Sequence, residues 1–140
     1  MAWTPSRIGA YTFTLLALAS LNACGSERRE VRRVPSPDGR VDAVLVRINS
    51  GATTSIGWNL FVVPAGEKPP TREALFIAER IGESELSIQW MEPRELEIRL
   101  PDARIFHFRN FWSSPEVDAF KYVVRLRLVE SPRPAPPRSP

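Results

Sequence analysis

Through the middle of this chain polar and apolar residues alternate with a period of two, and no stretch there sustains a helical period. In residues 40–49, Val41, Ala43 and Leu45 point one way and Val44, Val46 and Ile48 the other. Both faces are apolar, which predicts a central strand. Residues 56–63 are rich in aromatic and β-branched side chains, and 75–78 form a short apolar run. In 85–91, Leu86, Ile88 and Trp90 alternate with Glu85, Ser87 and Gln89; in 95–100, Leu96, Ile98 and Leu100 alternate with Glu95, Glu97 and Arg99. In 104–109, Phe106 and Phe108 oppose Ile105 and His107; in 120–129, Tyr122, Val124, Leu126 and Leu128 oppose Arg125 and Arg127. The pattern predicts about seven strands, with an eighth if 30–34 pairs at an edge. Ser36-Pro37-Asp38-Gly39 is strong turn chemistry, and Glu92-Pro93-Arg94 and Pro101-Asp102 separate the later strands. Such short connections predict an antiparallel meander. Strands with one wet face need a covering layer, so the expected fold is all-β, a small antiparallel sandwich or partly open barrel.

Composition narrows the class. The chain has 140 residues, 43% hydrophobic and 25% charged, which describes one globular domain and is too short for a barrel enzyme. One Cys and one His exclude an internal disulfide framework and a Cys/His zinc cage, so neither cofactor nor metal is expected. The predicted domain is 34–130, enough for one small core. Residues 131–140 hold five prolines and are predicted to be a polyproline-II or disordered tail. Residues 24–33 carry Arg28, Arg29, Arg32 and Arg33 with Glu27 and Glu30, and read as a solvated tether. The alternative for those arginines is attraction to anionic lipid head groups. Despite the formal charge of +3, no nucleic-acid partner is expected, because the basic run lacks interleaved aromatics.

The N-terminus reads as an address. After Arg7, residues 8–21 are uncharged and mostly apolar, roughly 21 Å as a helix at about 1.5 Å per residue. That is short for a stable span and suits the core of a signal peptide. It ends in Leu21-Asn22-Ala23-Cys24, which resembles the lipobox of bacterial lipoproteins. The resemblance implies cleavage before Cys24, removing 1–23, and lipid attached to the Cys24 sulfur. That chemistry requires the nucleophilic thiol. The membrane is then a partner through the lipid, and an exported protein has little occasion to meet nucleic acid. The implied location is the cell envelope, facing the periplasm. In enteric-type sorting an Asp after the Cys marks the inner membrane; Gly25 stands there, which favours the outer membrane.

Two further resemblances lie in the domain. Ser36-Pro37-Asp38-Gly39-Arg40 before an alternating strand is similar to the blade turn of TolB-like β-propellers, and 90–96 is a looser version. A propeller needs about four or more blades, so the likeness implies shared hairpin chemistry only. The same turn, with Gly51-Ala52-Thr53-Thr54-Ser55, 62–67, Phe76-Ile77-Ala78, Trp90 and 96–98, resembles an uncharacterised family of small bacterial envelope proteins. In that family a Cys commonly precedes the Gly-Ala-Thr-Thr loop; here it is Ser50. The resemblance implies fold and compartment without a mechanism.

Three places offer chemistry. The loop with Thr53, Thr54 and Ser55 presents hydroxyls that can bind a small anion or sugar, or simply satisfy a turn. A nucleophile there would need a base, and nothing puts His107 beside it. Glu95 and Glu97 share one strand face and could act as an acid–base pair on a glycan, but alternating Glu and Arg, continued by Arg99, is also the ordinary way to wet a strand. The dense segment 106–112 offers a ring platform around Arg109 and Trp112 for a glycan, peptide or lipid, or else fills the core. The expected function is a lipid-anchored, non-catalytic binding or accessory module with an envelope-protein or glycan partner. The alternative is a small envelope hydrolase acting on glycan through the surface carboxylates.

Overall fold

The computed structural model describes residues 25–132, so Cys24, the signal segment 1–23 and most of the tail 131–140 lie outside the described residues. The fold is an all-β sandwich of two open sheets. β1 (Glu27–Pro35), β2 (Val41–Asn49), β3 (Gly57–Pro64), β4 (Phe76–Glu79) and β7 (Arg104–Phe108) form the first sheet in the order β1-β2-β3-β4-β7. β5 (Ser87–Glu92), β6 (Glu95–Leu100), β8 (Phe111–Trp112) and β9 (Val124–Glu130) form the second, in the order β5-β6-β9-β8.

The alternation sets which residues meet between the sheets. Val41, Ala43, Leu45, Trp58 and Leu60 of the first sheet face Leu96, Ile98, Val124 and Leu126 of the second in one continuous buried core. β2 is central, as its two apolar faces predict, with β1 and β3 on its flanks. Its other face joins Val44 and Val46 to Phe61, Val63 and Ala74 in a second, smaller cluster. The indole N–H of Trp58 donates to the Ile81 carbonyl at 2.9 Å, and that of Trp90 to the Val34 carbonyl at 2.8 Å. The second bond, with Arg32 donating to the Leu86 carbonyl at 2.8 Å, ties β1 to the region of β5 and closes one side of the sandwich.

Three expectations are corrected. The stretch read as a tether, 24–33, is mostly strand: β1 begins at Glu27 and pairs antiparallel with β2 from Glu27↔Asn49 to Pro35↔Asp42. Val31 and Val34 pack on the core while the charges stay outside, and a charged outer strand is the usual protection of a sheet edge. The meander holds only from β1 to β4 and, in the other sheet, through the β5–β6 hairpin. The Pro101-Asp102 turn hands the chain to the first sheet, where β7 pairs with β4, and β6 instead takes β9 as a parallel neighbour. Finally, the last strand starts at Val124 rather than at residue 120.

The residues before β9 turn left-handed: φ is 54° at Asp118, 46° at Ala119 and 69° at Phe120. That conformation costs a residue with a Cβ roughly 1–2 kcal/mol. Ala119 is exposed. Ala119→Gly should therefore gain about 0.5–1 kcal/mol after the larger chain entropy of glycine is subtracted. A thermal melt should show a rise of a few degrees, and an unchanged or lower midpoint would mean the turn is not strained.

Candidate functional site

The strand directions sort the connections into two ends. β1 starts, and the 50–56, 80–86 and 101–103 connections lie, at one end, as the pairs Glu27↔Asn49, Gly57↔Glu79 and Glu79↔Arg104 show. β9 finishes at the same end, where the Ser131 amide donates to the Leu100 carbonyl at 2.8 Å. The opposite end carries the 36–40 and 92–94 turns and the long 109–123 connection.

Near that opposite end, the outer face of the second sheet holds an open groove of about 510 Å³. Parallel pairing builds its floor. Glu95 lies beside Arg125 and Glu97 beside Arg127, so carboxylates of one strand meet guanidiniums of the next. Arg127 Nη2 is 2.7 Å from one Glu97 oxygen, and Arg99 Nη2 is 2.6 Å from the other. The looser Glu95–Arg125 pair spans 3.8 Å. Hydrogen bonds from Arg99 and Arg127 hold the Glu97 carboxyl below its ordinary range against the opposing effect of burial. Met91, Val123 and Phe111 supply apolar lining, and Met91 and Phe111 are each 48% exposed. The Arg109 guanidinium stands 5.4 Å from the centre of the Phe111 ring.

This changes the reading of the glutamates. Glu97 does not wet a strand face; it is buried at 4% exposure, because its strand is central and two long arginines cover it. Glu95 is half-exposed, as expected of a wet position.

The aromatic segment divides. Phe108 and Trp112 pack on the core, whereas Phe106 and Phe111 face solvent. A platform beside Arg109 exists, but Phe111 forms it in place of Trp112. The 51–55 loop is exposed throughout. The Thr54 hydroxyl donates to the Gly51 carbonyl at 3.3 Å and the Gly51 amide to Asn49 Oδ1 at 3.2 Å, so part of its polarity serves its own turn. Thr54 and Ser55 line a second depression of about 290 Å³ on the first sheet, with Phe106, Arg28 and Ser50. The expected binding residues thus fall in two places: Thr54 and Ser55 at one, Arg109 and Trp112 by the other strand edge, with Thr53 exposed between Thr54 and Ala52. His107 is exposed on β7 and does not line the loop depression.

Asn110, from the 106–112 segment, completes the groove with Val123, Arg125 and Arg127, three residues that the sequence alone does not single out as a site. Their one signal in the sequence is the mirrored spacing of Glu95 and Glu97 against Arg125 and Arg127, which has meaning only once the two strands lie side by side. Among the described residues, no group of three or more His, Cys, Asp or Glu is placed to hold a metal ion, and no helix is long and apolar enough to cross a membrane. No family model, curated protein or solved structure matches the chain.

Proposed function

We propose that this chain is a lipid-anchored envelope protein that works as a non-catalytic binding module, engaging a protein partner through the groove of the second sheet. The anchor is Cys24, and the outer membrane is the favoured site, on the lipobox and Gly25. The observation that carries the binding reading is the groove itself: exposed Met91 and Phe111 beside a floor of ion-paired carboxylates and guanidiniums. Aromatic residues, Met and Arg are enriched in protein interfaces, and a ring with an arginine beside it is a typical anchor. A floor whose charges are already paired adds orientation without leaving a bare charge to desolvate.

The hydrolase alternative draws less support from the same place. A general acid on a glycan needs a carboxyl whose pKa is raised toward neutrality. Glu97 is shifted the other way by two arginines, so it stays ionised and serves as a structural anion. That leaves Glu95 with no acid partner from the same strand.

Phe111→Ala tests the reading. Removing an anchor ring typically costs more than 1 kcal/mol of binding, so capture of the partner should weaken about tenfold. Because nearly half of the ring is already exposed, the melting point should stay close to that of the parent. Partner capture is measured by cross-linking from a photoreactive residue at Asn110 in intact envelopes. Undiminished capture by the alanine variant would remove the groove from the reading, and retention on envelope polysaccharide instead would make the partner a glycan.

A further inference from the structure

The pairing of β1 leaves almost no leash between lipid and fold. Two residues, Gly25 and Ser26, separate Cys24 from Glu27, the first residue of β1. At most about 3.6 Å per step, the three steps from Cys24 to Glu27 reach roughly 10 Å. The end of the sandwich where β1 starts is then held within about 10 Å of the membrane surface whenever Cys24 carries lipid. A chain tethered by ten loose residues would have had no such constraint.

That end carries an unusual pair. Arg29 of β1 lies directly opposite Arg47 of β2 in the antiparallel register. Opposed residues have Cβ atoms about 4.5–5.5 Å apart, and like charges so placed repel. Neither arginine has a hydrogen bond or ion pair among the described residues. The other arginines of these two strands are occupied: Arg28 donates to the Thr71 and Pro70 carbonyls, Arg32 to the Leu86 carbonyl, and Arg33 to Glu30 and Asp42. Nearby Glu79 is taken up by Arg104 at 3.2 Å. Arg47 is on the core-facing side of β2, in line with Val41, Ala43 and Leu45, one step past the buried core. The two arginines therefore lie side by side near the rim of the sandwich, at the same end as the exposed 51–55 loop.

We propose that this end is a docking surface for phospholipid, in which Arg29 and Arg47 share a head-group phosphate and the 50–56 loop lies against the head groups. The proposal rests on the reading of Cys24 as the lipidated residue. A phosphate between two arginines replaces repulsion by two charge-assisted contacts, and guanidinium geometry suits it. The arrangement also leaves the groove free, since it lies near the opposite end, on the outer face of the second sheet. The Thr53–Ser55 hydroxyls then act as part of the membrane face and leave soluble ligands to the groove.

The test uses the full lipidated chain in vesicles of phosphatidylcholine with phosphatidylglycerol, the lipids bearing a nitroxide on the head group. A fluorophore is placed at Thr53→Cys or, in the 92–94 turn at the far end, at Glu92→Cys. Strands of about nine residues at roughly 3.3 Å each separate these ends by about 30 Å. The nitroxide should quench the probe at 53 several-fold more than the probe at 92. Adding Arg29→Gln and Arg47→Gln should shift the docked population about fivefold toward undocked for each arginine replaced. A melt of the double variant, equal to or above the parent since a repulsion is gone, keeps any loss of quenching from being ascribed to unfolding. Equal quenching at both positions, or quenching at 53 indifferent to the two arginines, would overturn the proposal. Intact mass settles which idea failed: an unmodified Cys24 defeats the anchor itself, whereas an acylated Cys24 with equal quenching defeats only the docking.

Discussion

Tyr122→Phe should lower the stability of this domain by about 1–2 kcal/mol and its melting point by roughly 5–10 °C. The side chain is wholly buried, and its hydroxyl donates to Asp38 Oδ2 at 2.7 Å, with the Pro93 carbonyl 3.0 Å away. The Arg40 and Arg94 guanidiniums stand 4.9 and 4.7 Å from the ring centre. One residue thus joins the 36–40 turn of the first sheet to the 92–94 turn of the second. Phenylalanine keeps the ring packing and the two cation–π contacts but leaves Asp38 without its donor and removes the polar contact beside the Pro93 carbonyl. The figure stays in the lower part of the range for charged partners because Asp38 is itself open to water. Tyr122→Ala, which adds a cavity, should cost about 3–5 kcal/mol.

The same pair predicts how stability follows pH. Burial first, and then the Asp38 carboxylate, push the Tyr122 phenol up to about 12. A phenol in an unfolded chain ionises near 10. Its contribution is therefore complete below about pH 10 and disappears as pH rises toward 12. The phenylalanine variant should lack that alkaline loss. On the acid side the sign reverses. Burial alone would raise the Asp38 carboxyl, but hydrogen bonds from Tyr122, Ser36 and the Arg40 amide bring it below its ordinary value. Glu30 is lowered by Arg33, and Glu97 by Arg99 and Arg127. All three favour the fold above the ordinary carboxylate range and lose that effect as pH falls through their lowered values. Denaturant titrations from pH 2 to 12 read both limbs, and an alkaline limb that survives in Tyr122→Phe would mean another group carries it.

Local chemistry made most of the strands legible, and distance in sequence hid the rest. β6 runs over Glu95–Leu100 as its alternation predicts, and the Ser36–Gly39 turn forms with the Gly39 amide donating to the Ser36 carbonyl at 2.9 Å. β1 is hard to read because six of its nine residues are charged; it is a strand because β2 offers it an edge and because Val31 and Val34 give it an inward face. The parallel union of β6 with β9 depends on the chain crossing to the other sheet through β7 and back, which no alternation records. The groove inherits that blindness, since its floor is made by the union. So does the Tyr122 clamp, whose hydroxyl and carboxylate are 84 residues apart although both turns it joins were plain as turns. Trp112 shows the complementary limit: a cluster of rings announces burial and exposure together, and only the packing assigns Trp112 to the core and Phe111 to solvent.

Under the proposed anchor, Cys24→Ser should remove the lipid altogether, the largest effect expected of any single change in this chain. Acyl transfer to this position needs a nucleophile that is partly ionised near neutral pH, which a thiol supplies and a serine hydroxyl does not. Each buried methylene contributes about 0.8 kcal/mol, and one chain of myristoyl length binds membranes only marginally. Stable retention therefore needs the two or three chains of a lipoprotein, and losing them leaves only the weak electrostatic contribution of Arg29 and Arg47, worth about 1 kcal/mol apiece at an anionic surface. The variant should appear either in the soluble fraction or as a precursor still held by residues 1–23, the two being separable by mass, and in both cases without radiolabelled palmitate. Since the fold begins at Glu27, its melting point should match that of the wild type once the leader is gone. Palmitate that persists on the serine variant would locate the lipid elsewhere. It would also remove the two-residue leash that fixes which end of the sandwich meets the membrane.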